Sequence, residues 1–169
     1  MSSIIKVDAI QKADGTTPTA GDLGINDTGT VLQVVKTTNQ TETVLSSNAS
    51  YVDIANMSLS ITPKQTNSNF IITWNFQNLY FKDSGSGCSF RIVKDGTALF
   101  TPSVQYSNYS NANGWHWSVG YSHYDISTHT TLNPITFKIQ GIAYGSSAAV
   151  DINDNNYFLD TMIIQEIAG

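Results

Sequence analysis

From Tyr51 onward, apolar and polar positions alternate with a period of two, and no stretch carries the three-to-four spacing of an amphipathic helix. Met57, Leu59 and Ile61 interleave with Ser58 and Ser60, and Thr62-Pro63-Lys64-Gln65-Thr66-Asn67-Ser68 then turns the chain. Phe70, Ile72, Trp74 and Phe76 point one way, with Asn75 and Gln77 opposite. Leu79 and Phe81 fall out of phase with that set, which predicts a β-bulge at Gln77-Asn78. Cys88 to Val93 reads as the next strand. Asp95-Gly96 joins it to Thr97-Ala98-Leu99-Phe100 as a two-residue hairpin, because both residues tolerate the positive φ of a type I′ turn. Trp115 to Ile126, Ile135 to Tyr144 and Tyr157 to Ile167 are three further strands, and Val31 to Val35 and Glu42 to Leu45 are shorter candidates. Roughly seven to nine strands joined by polar loops predict an all-β fold, an antiparallel β-sandwich.

The first thirty-five residues read differently. Ser2 to Gln11 is one short strand carrying Ile4, Ile5, Val7 and Ile10. Behind it, Asp14-Gly15-Thr16-Thr17-Pro18-Thr19 and Gly21-Asp22-Leu23-Gly24-Ile25-Asn26-Asp27-Thr28-Gly29 are rich in turn formers and offer few side chains to a core. Ordering such a segment costs conformational entropy that its own burial does not return. It is therefore expected to be an extended arm, residues 1–35, that lies on a partner surface, followed by one domain, residues 36–169. Ile4, Ile5, Val7, Ile10, Leu23 and Ile25 are its candidate docking residues.

Composition supports the β reading and narrows the function. Ser, Thr and Asn make up nearly a third of the chain, and Glu occurs only at Glu42 and Glu166. Residues that compete with helical hydrogen bonding are thus abundant, and surface helix formers are scarce. A net charge of -5 with no basic cluster gives no electrostatic footprint for nucleic acid. No apolar run approaches the roughly 18 residues of a membrane span, and the N-terminus lacks the pattern of a secretory signal. The single cysteine, Cys88, cannot form an internal disulfide and alternates with Phe90 and Ile92 as a core thiol.

The arm resembles the N-terminal segment of small virion appendage proteins of marine tailed bacteriophages. The resemblance is carried by Ile4-Ile5-Lys6-Val7-Asp8-Ala9-Ile10-Gln11, Thr17-Pro18-Thr19-Ala20-Gly21-Asp22-Leu23-Gly24 and Gly29-Thr30-Val31-Leu32-Gln33-Val34-Val35. It continues at Ser50-Tyr51-Val52-Asp53, Phe90-Arg91-Ile92-Val93-Lys94-Asp95-Gly96-Thr97 and Thr161-Met162-Ile163-Ile164-Gln165-Glu166-Ile167-Ala168-Gly169, while residues 108–131 carry no matching motif. These are structural words without a catalytic signature. The resemblance implies a jelly roll of the tumour-necrosis-factor and C1q type, located on a virion as a fibre-like or knob-like appendage. It also implies a capsid or tail component as the partner of the arm. A capsid decoration protein without a ligand and a free carbohydrate-binding sandwich are the alternatives.

The C-terminal strand shapes the expected assembly. Tyr157, Leu159, Ile163 and Ile167 alternate on one face, and Phe158, Met162 and Ile164 on the other. A strand apolar on both faces needs a second cover, which a subunit interface supplies. Phe158, Met162, Ile164 and Ile167 are therefore the expected interface residues. A dimer would bury this strand equally well; the homotrimer is what the resemblance implies.

The densest chemistry lies between Tyr106 and His129. Tyr106, Asn108, Tyr109, Asn111, Asn113 and Trp115 offer rings to stack on sugars and amides to bind hydroxyls, so a host surface polysaccharide is the candidate ligand. The competing reading makes Trp115, Trp117, Val119 and Tyr121 the inward face of one strand. His116, His123 and His129 are spaced by seven and six residues, which has no ligand logic on a strand. Asp151-Ile152-Asn153-Asp154-Asn155-Asn156 resembles the start of a calcium loop but fails as an EF-hand, with Asn156 at the glycine position and Met162 where Glu is required. No metal site, cofactor or catalytic residue is expected. The scattered Asp53, Asp125 and Asp160 do not pair as acid and base.

Overall fold

The computed structural model describes residues 11–18, 23, 28–46, 50–103, 107–126, 129–145 and 150–169. Among them, eleven strands form the fold: β1 (Val31–Asn39), β2 (Thr43–Leu45), β3 (Val52–Ile61), β4 (Asn69–Phe81), β5 (Ser86–Lys94), β6 (Thr97–Phe100), β7 (Asn108–Ser110), β8 (Trp115–Asp125), β9 (Ile135–Tyr144), β10 (Val150–Ile152) and β11 (Asp160–Ile167). Every pairing is antiparallel. One sheet runs β1-β11-β4-β8, with the short β10 and β2 added beside the far end of β4; the other runs β3-β9-β5-β6, with β7 also on β5. Consecutive strands mostly alternate between the two sheets, the connectivity of a jelly-roll sandwich.

β4 organises the core. Its even-numbered residues Phe70, Ile72, Trp74 and Phe76 face inward, and the ladder with β8 slips between Phe76 and Leu79, so that Leu79 and Phe81 also turn inward. The predicted bulge is present and repairs the phase of the pattern. Met57 and Ile61 of β3, Phe137 and Ile139 of β9, and Phe90 and Ile92 of β5 close the core from the opposite sheet. Each such side chain contributes roughly 1.5–3 kcal/mol by leaving water. Gly141 lies where a Cβ would come within 3.0 Å of Ile54 and Leu45, so the absence of a side chain lets β9 meet these neighbours. Asp95 and Gly96 adopt φ of 46° and 86° between β5 and β6, as the hairpin reading requires.

Two buried polar groups tie the ends of strands to the body. Glu166 is fully buried and accepts hydrogen bonds from Ser68 Oγ at 2.6 Å, Lys64 N at 2.8 Å and Gln33 Nε2 at 2.6 Å, which fixes the turn before β4. Lys94 Nζ meets Asp125 Oδ2 at 2.7 Å with both side chains largely buried, joining β5 to the end of β8.

β11 corrects the reading of its two faces. Met162 and Ile164 are completely buried within the single chain, opposite Trp74 and Ile72 of β4. They line the inner face of the sandwich, and no second subunit is needed to cover them. Ile167 is also buried, and Phe158 lies before the strand, half-buried. The apolar appearance of the other face came from Tyr157 and Leu159, which belong to the preceding turn and are exposed. The outer face itself presents Thr161, Ile163 and Gln165, an ordinary half-polar sheet surface. Val31 to Val35, assigned to the arm by their sequence, lie in β1, hydrogen-bonded to β11.

Candidate functional site

The aromatic segment 107–126 folds mainly into β7 and β8, and its residues separate into inward and outward sets. Val119 and Tyr121 pack on the core, with the Tyr121 ring stacked on Trp74 at 5.3 Å. Burial pushes the Tyr121 hydroxyl above its ordinary pKa, against the opposing effect of its hydrogen bond with Asn108. Asn108 is itself buried, its amide lying 2.5 Å from the Tyr121 hydroxyl and 3.4 Å from the Cys88 carbonyl. It is therefore a framework residue, turned away from any ligand in solvent. Cys88 is buried, and desolvation raises its thiol pKa far above the ordinary value.

Trp115 and Trp117 take the inward register but are not buried, because among the described residues β8 is an edge strand with a neighbour on one side only. Trp117 rests on Phe81 at 5.4 Å yet is 36% exposed, and Trp115 is 52% exposed. Tyr109 and Tyr144 flank the buried Gly87 on either side of β5, both partly exposed, with ring centroids 6.5 Å apart. Asn111 and Asn113 are exposed in the turn between β7 and β8. Of the six residues expected to meet a glycan, Tyr109, Asn111, Asn113 and Trp115 thus lie at the surface, Asn108 does not, and Tyr106 lies outside the described residues. Tyr144 escaped the sequence reading because its proximity to Tyr109 arises from strand order.

This surface has a defined place on the sandwich. Trp115 pairs with Phe81 at the C-terminal end of β4, and Val31 lies opposite Ile167, itself opposite Asn69 at the other end. At that second end Gly29 N donates to Ala168 O, Ala168 N donates to Thr30 O, and the Thr28 hydroxyl lies 3.3 Å from Gly169 O. Thirteen residues of β4 separate the two ends, roughly 40 Å at the rise of an extended strand. Ile4, Ile5, Val7, Ile10 and Ile25 lie outside the described residues; Leu23 is described and exposed.

Among the described residues the three histidines do not gather into a group that could hold a metal. His116 stacks outward on Tyr80 at 4.5 Å and lies 2.8 Å from Asn78 Oδ1; His123 faces Ile72; His129 leans on Phe70 at 5.3 Å. Carboxylates do converge elsewhere. Glu42, before β2, meets Asp151 of β10 and Asp154 of the 3₁₀ turn Asp154–Asn156, with one oxygen of each within 4.8 Å of the others. Asp53 instead accepts from Lys138 and Gln140 on the outer face of β9, and these bonds lower its pKa.

No protein-family model matches the chain, and no curated protein matches it. Several solved structures are similar to it over part of their length, three of them as follows. The infectious bursal disease virus VP2 subviral particle is 17% identical with a TM-score of 0.44, covering 81% of this chain and 37% of that one. The structure of the infectious bursal disease virus Gx strain is 16% identical with a TM-score of 0.45, covering 81% and 32%. Dimeric latent PorU from Porphyromonas gingivalis is 9% identical with a TM-score of 0.37, covering 80% and 13%. The chain thus spans about a third of the viral chains, and likenesses this distant carry no argument about function. What the strands define by themselves is an antiparallel jelly-roll sandwich with residues 28–30 at one end and Trp115, Tyr109 and Tyr144 exposed at the other; Tyr124, opposite Ile71, is exposed near the first end.

Proposed function

We propose that the protein is a structural component of a phage virion: a trimeric fibre-like or knob-like appendage, held to a capsid or tail component by its N-terminal arm and contacting host surface polysaccharide at its far end. The observation that carries this reading is the separation of the two ends. The segment Thr28–Thr30 leaves beside Ala168 and Gly169, while Trp115, Tyr109 and Tyr144 are exposed at the opposite end of β4. An anchored appendage requires that polarity, since a recognition surface beside the anchor would be occluded by the particle. The sequence resemblance supplies the virion context and the trimeric state. The domain division is part of the same proposal: an arm ending near Thr30 and a sandwich from β1 onward.

Deleting residues 1–30 should leave a folded sandwich that no longer incorporates into particles. Incorporation of the truncated chain at the normal level overturns the anchoring role. Microscopy of virions labelled on this protein then separates a tail appendage from a capsid decoration protein, and glycan binding by the truncated chain with no copies on any particle would identify a free carbohydrate-binding sandwich. Sedimentation of the intact protein tests the trimer, for which the burial of Met162 and Ile164 within one chain removes the earlier physical argument.

A further inference from the structure

We propose that Glu42, Asp151 and Asp154 form a binding site for a divalent cation of the calcium type, a site that goes beyond the appendage reading and does not depend on it. The three carboxylates come from separate segments, the turn before β2, strand β10 and the 3₁₀ turn that follows it. Their oxygens lie within 4.8 Å of one another. Calcium binds oxygen at 2.3–2.6 Å, so two ligands of one ion can stand up to about 5 Å apart, and the cluster lies inside that limit. A set of carboxylates from two turns and a strand suits calcium, whose coordination geometry is flexible, better than magnesium, which demands near-ideal octahedral geometry and keeps several waters.

Asp151 supplies an independent sign of a missing partner. It is only 1% exposed, lying between Val44 and Tyr80 on the neighbouring strands. Lys82 Nζ approaches its Oδ2 at 2.6 Å, but Oδ1 is buried with no hydrogen-bond donor. A buried carboxylate oxygen left without a donor is costly unless a ligand completes it. Lys82 is not a sufficient counter-ion: its side chain is 36% exposed, and one ammonium against three carboxylates leaves two negative charges. A divalent cation balances that remainder. Glu42 and Asp154 are half-buried, so an ion can enter from solvent while Asp151 holds it from below. Glu42 is steadied for this role, since Asn155 N donates to its Oε2 at 3.3 Å and its own backbone N–H donates to Asn156 Oδ1 at 2.7 Å.

The test is calcium titration of the full chain after treatment with a chelator, followed by calorimetry and thermal unfolding at constant ionic strength, with magnesium as the comparison. One saturable calcium per chain, a higher unfolding midpoint with calcium than with chelator, and weaker binding of magnesium are the expected results. Glu42→Gln and Asp154→Asn, both at half-exposed positions, should fold as judged by circular dichroism and each lose at least ten-fold in affinity. Lys82→Gln should bind calcium at least as tightly as the unaltered chain, because it removes a competing positive charge. Absence of saturable binding up to about 10 mM, ten-fold above the weakest class of calcium modules, overturns the site. So does binding unchanged in both carboxylate variants. Binding that appears only in Lys82→Gln would mean that lysine is the resident cation, and also overturns it.

Discussion

β8 and β11 pair with the same residues of β4, Phe70 to Asn75, from opposite sides, yet their apolar residues meet different fates. β11 lies between β1 and β4, and its inward residues Met162 and Ile164 are completely covered. Among the described residues β8 has β4 on one side and no strand on the other; along its inward positions, burial falls from Asp125 at one end to Trp115, 52% exposed, at the other. The difference comes from position in the sheet, since both strands carry large side chains at inward register. Interior strands convert apolar residues into stability, and an edge strand can keep the same residues available to a ligand.

Substituting Ile164 breaks that contrast most severely. Ile164→Asp places an unpaired charge in the core, and the chain is expected to be unfolded by circular dichroism at 25 °C; a folded monomer would mean that β11 is not interior. Ile164→Ala should cost about 2–5 kcal/mol in urea unfolding, the range for truncating a covered aliphatic side chain.

Within β8, the buried end should behave like β11. Asp125→Ala leaves the Lys94 ammonium, largely buried near the rings of Phe70 and Phe137, without this carboxylate and should cost about 3–5 kcal/mol. Restoration of stability in Lys94→Met/Asp125→Leu would show that the cost is the uncompensated charge. At the exposed end, Trp115→Ala should stay within about 0.5–1 kcal/mol of the unaltered chain while weakening adsorption of particles to host cells. A Trp115→Ala chain as unstable as Ile164→Ala would erase the distinction between the two strands.

Smaller effects sharpen the comparison through titration. Burial raises the Asp160 carboxyl at the start of β11 above its ordinary value of 3.8, only partly offset by hydrogen bonds from Gln77 N and Asn39. The folded state therefore holds that proton more tightly than the unfolded one. Its contribution to stability is greatest at low pH and declines as pH rises from 3.8 through the raised value. Asp160→Asn should flatten that part of the stability profile, measured by urea midpoints across the acid range. Cys88, whose thiol pKa is raised by burial, should resist alkylation in the folded chain and react fully in denaturant.

Much of this architecture was legible because strand signals are local. The bulge at Gln77-Asn78 showed as a phase slip, and the β5–β6 turn showed in Asp95-Gly96. The two-faced reading of Tyr157 to Ile167 failed because it counted Tyr157 and Leu159 as strand; periodicity marks faces well and boundaries poorly. Asn108 looked like a loop amide because nothing near it in sequence announces Tyr121. Asp151 and Asp154 showed only as a failed calcium loop, and nothing in the spacing along the chain announced Glu42 and Lys82, which meet Asp151 only after three segments have folded.

The attachment of β1 has a mechanical consequence. β1 runs from Val31 to Asn39 antiparallel to β11, and the preceding residues leave at the end of the sandwich away from Trp115. A pull on Thr30 directed away from that far end acts along the strand, so the β1–β11 hydrogen bonds are loaded together in shear. Pulling across the strand would open them one after another, as a zipper. Tension between a fixed N-terminal segment and a tethered far end thus meets the ladder in its stronger direction. Single-molecule stretching from residue 30 should give a higher rupture force when the opposing handle is placed at Asn113 than at Ser68, beside the exit; equal forces would deny the shear geometry.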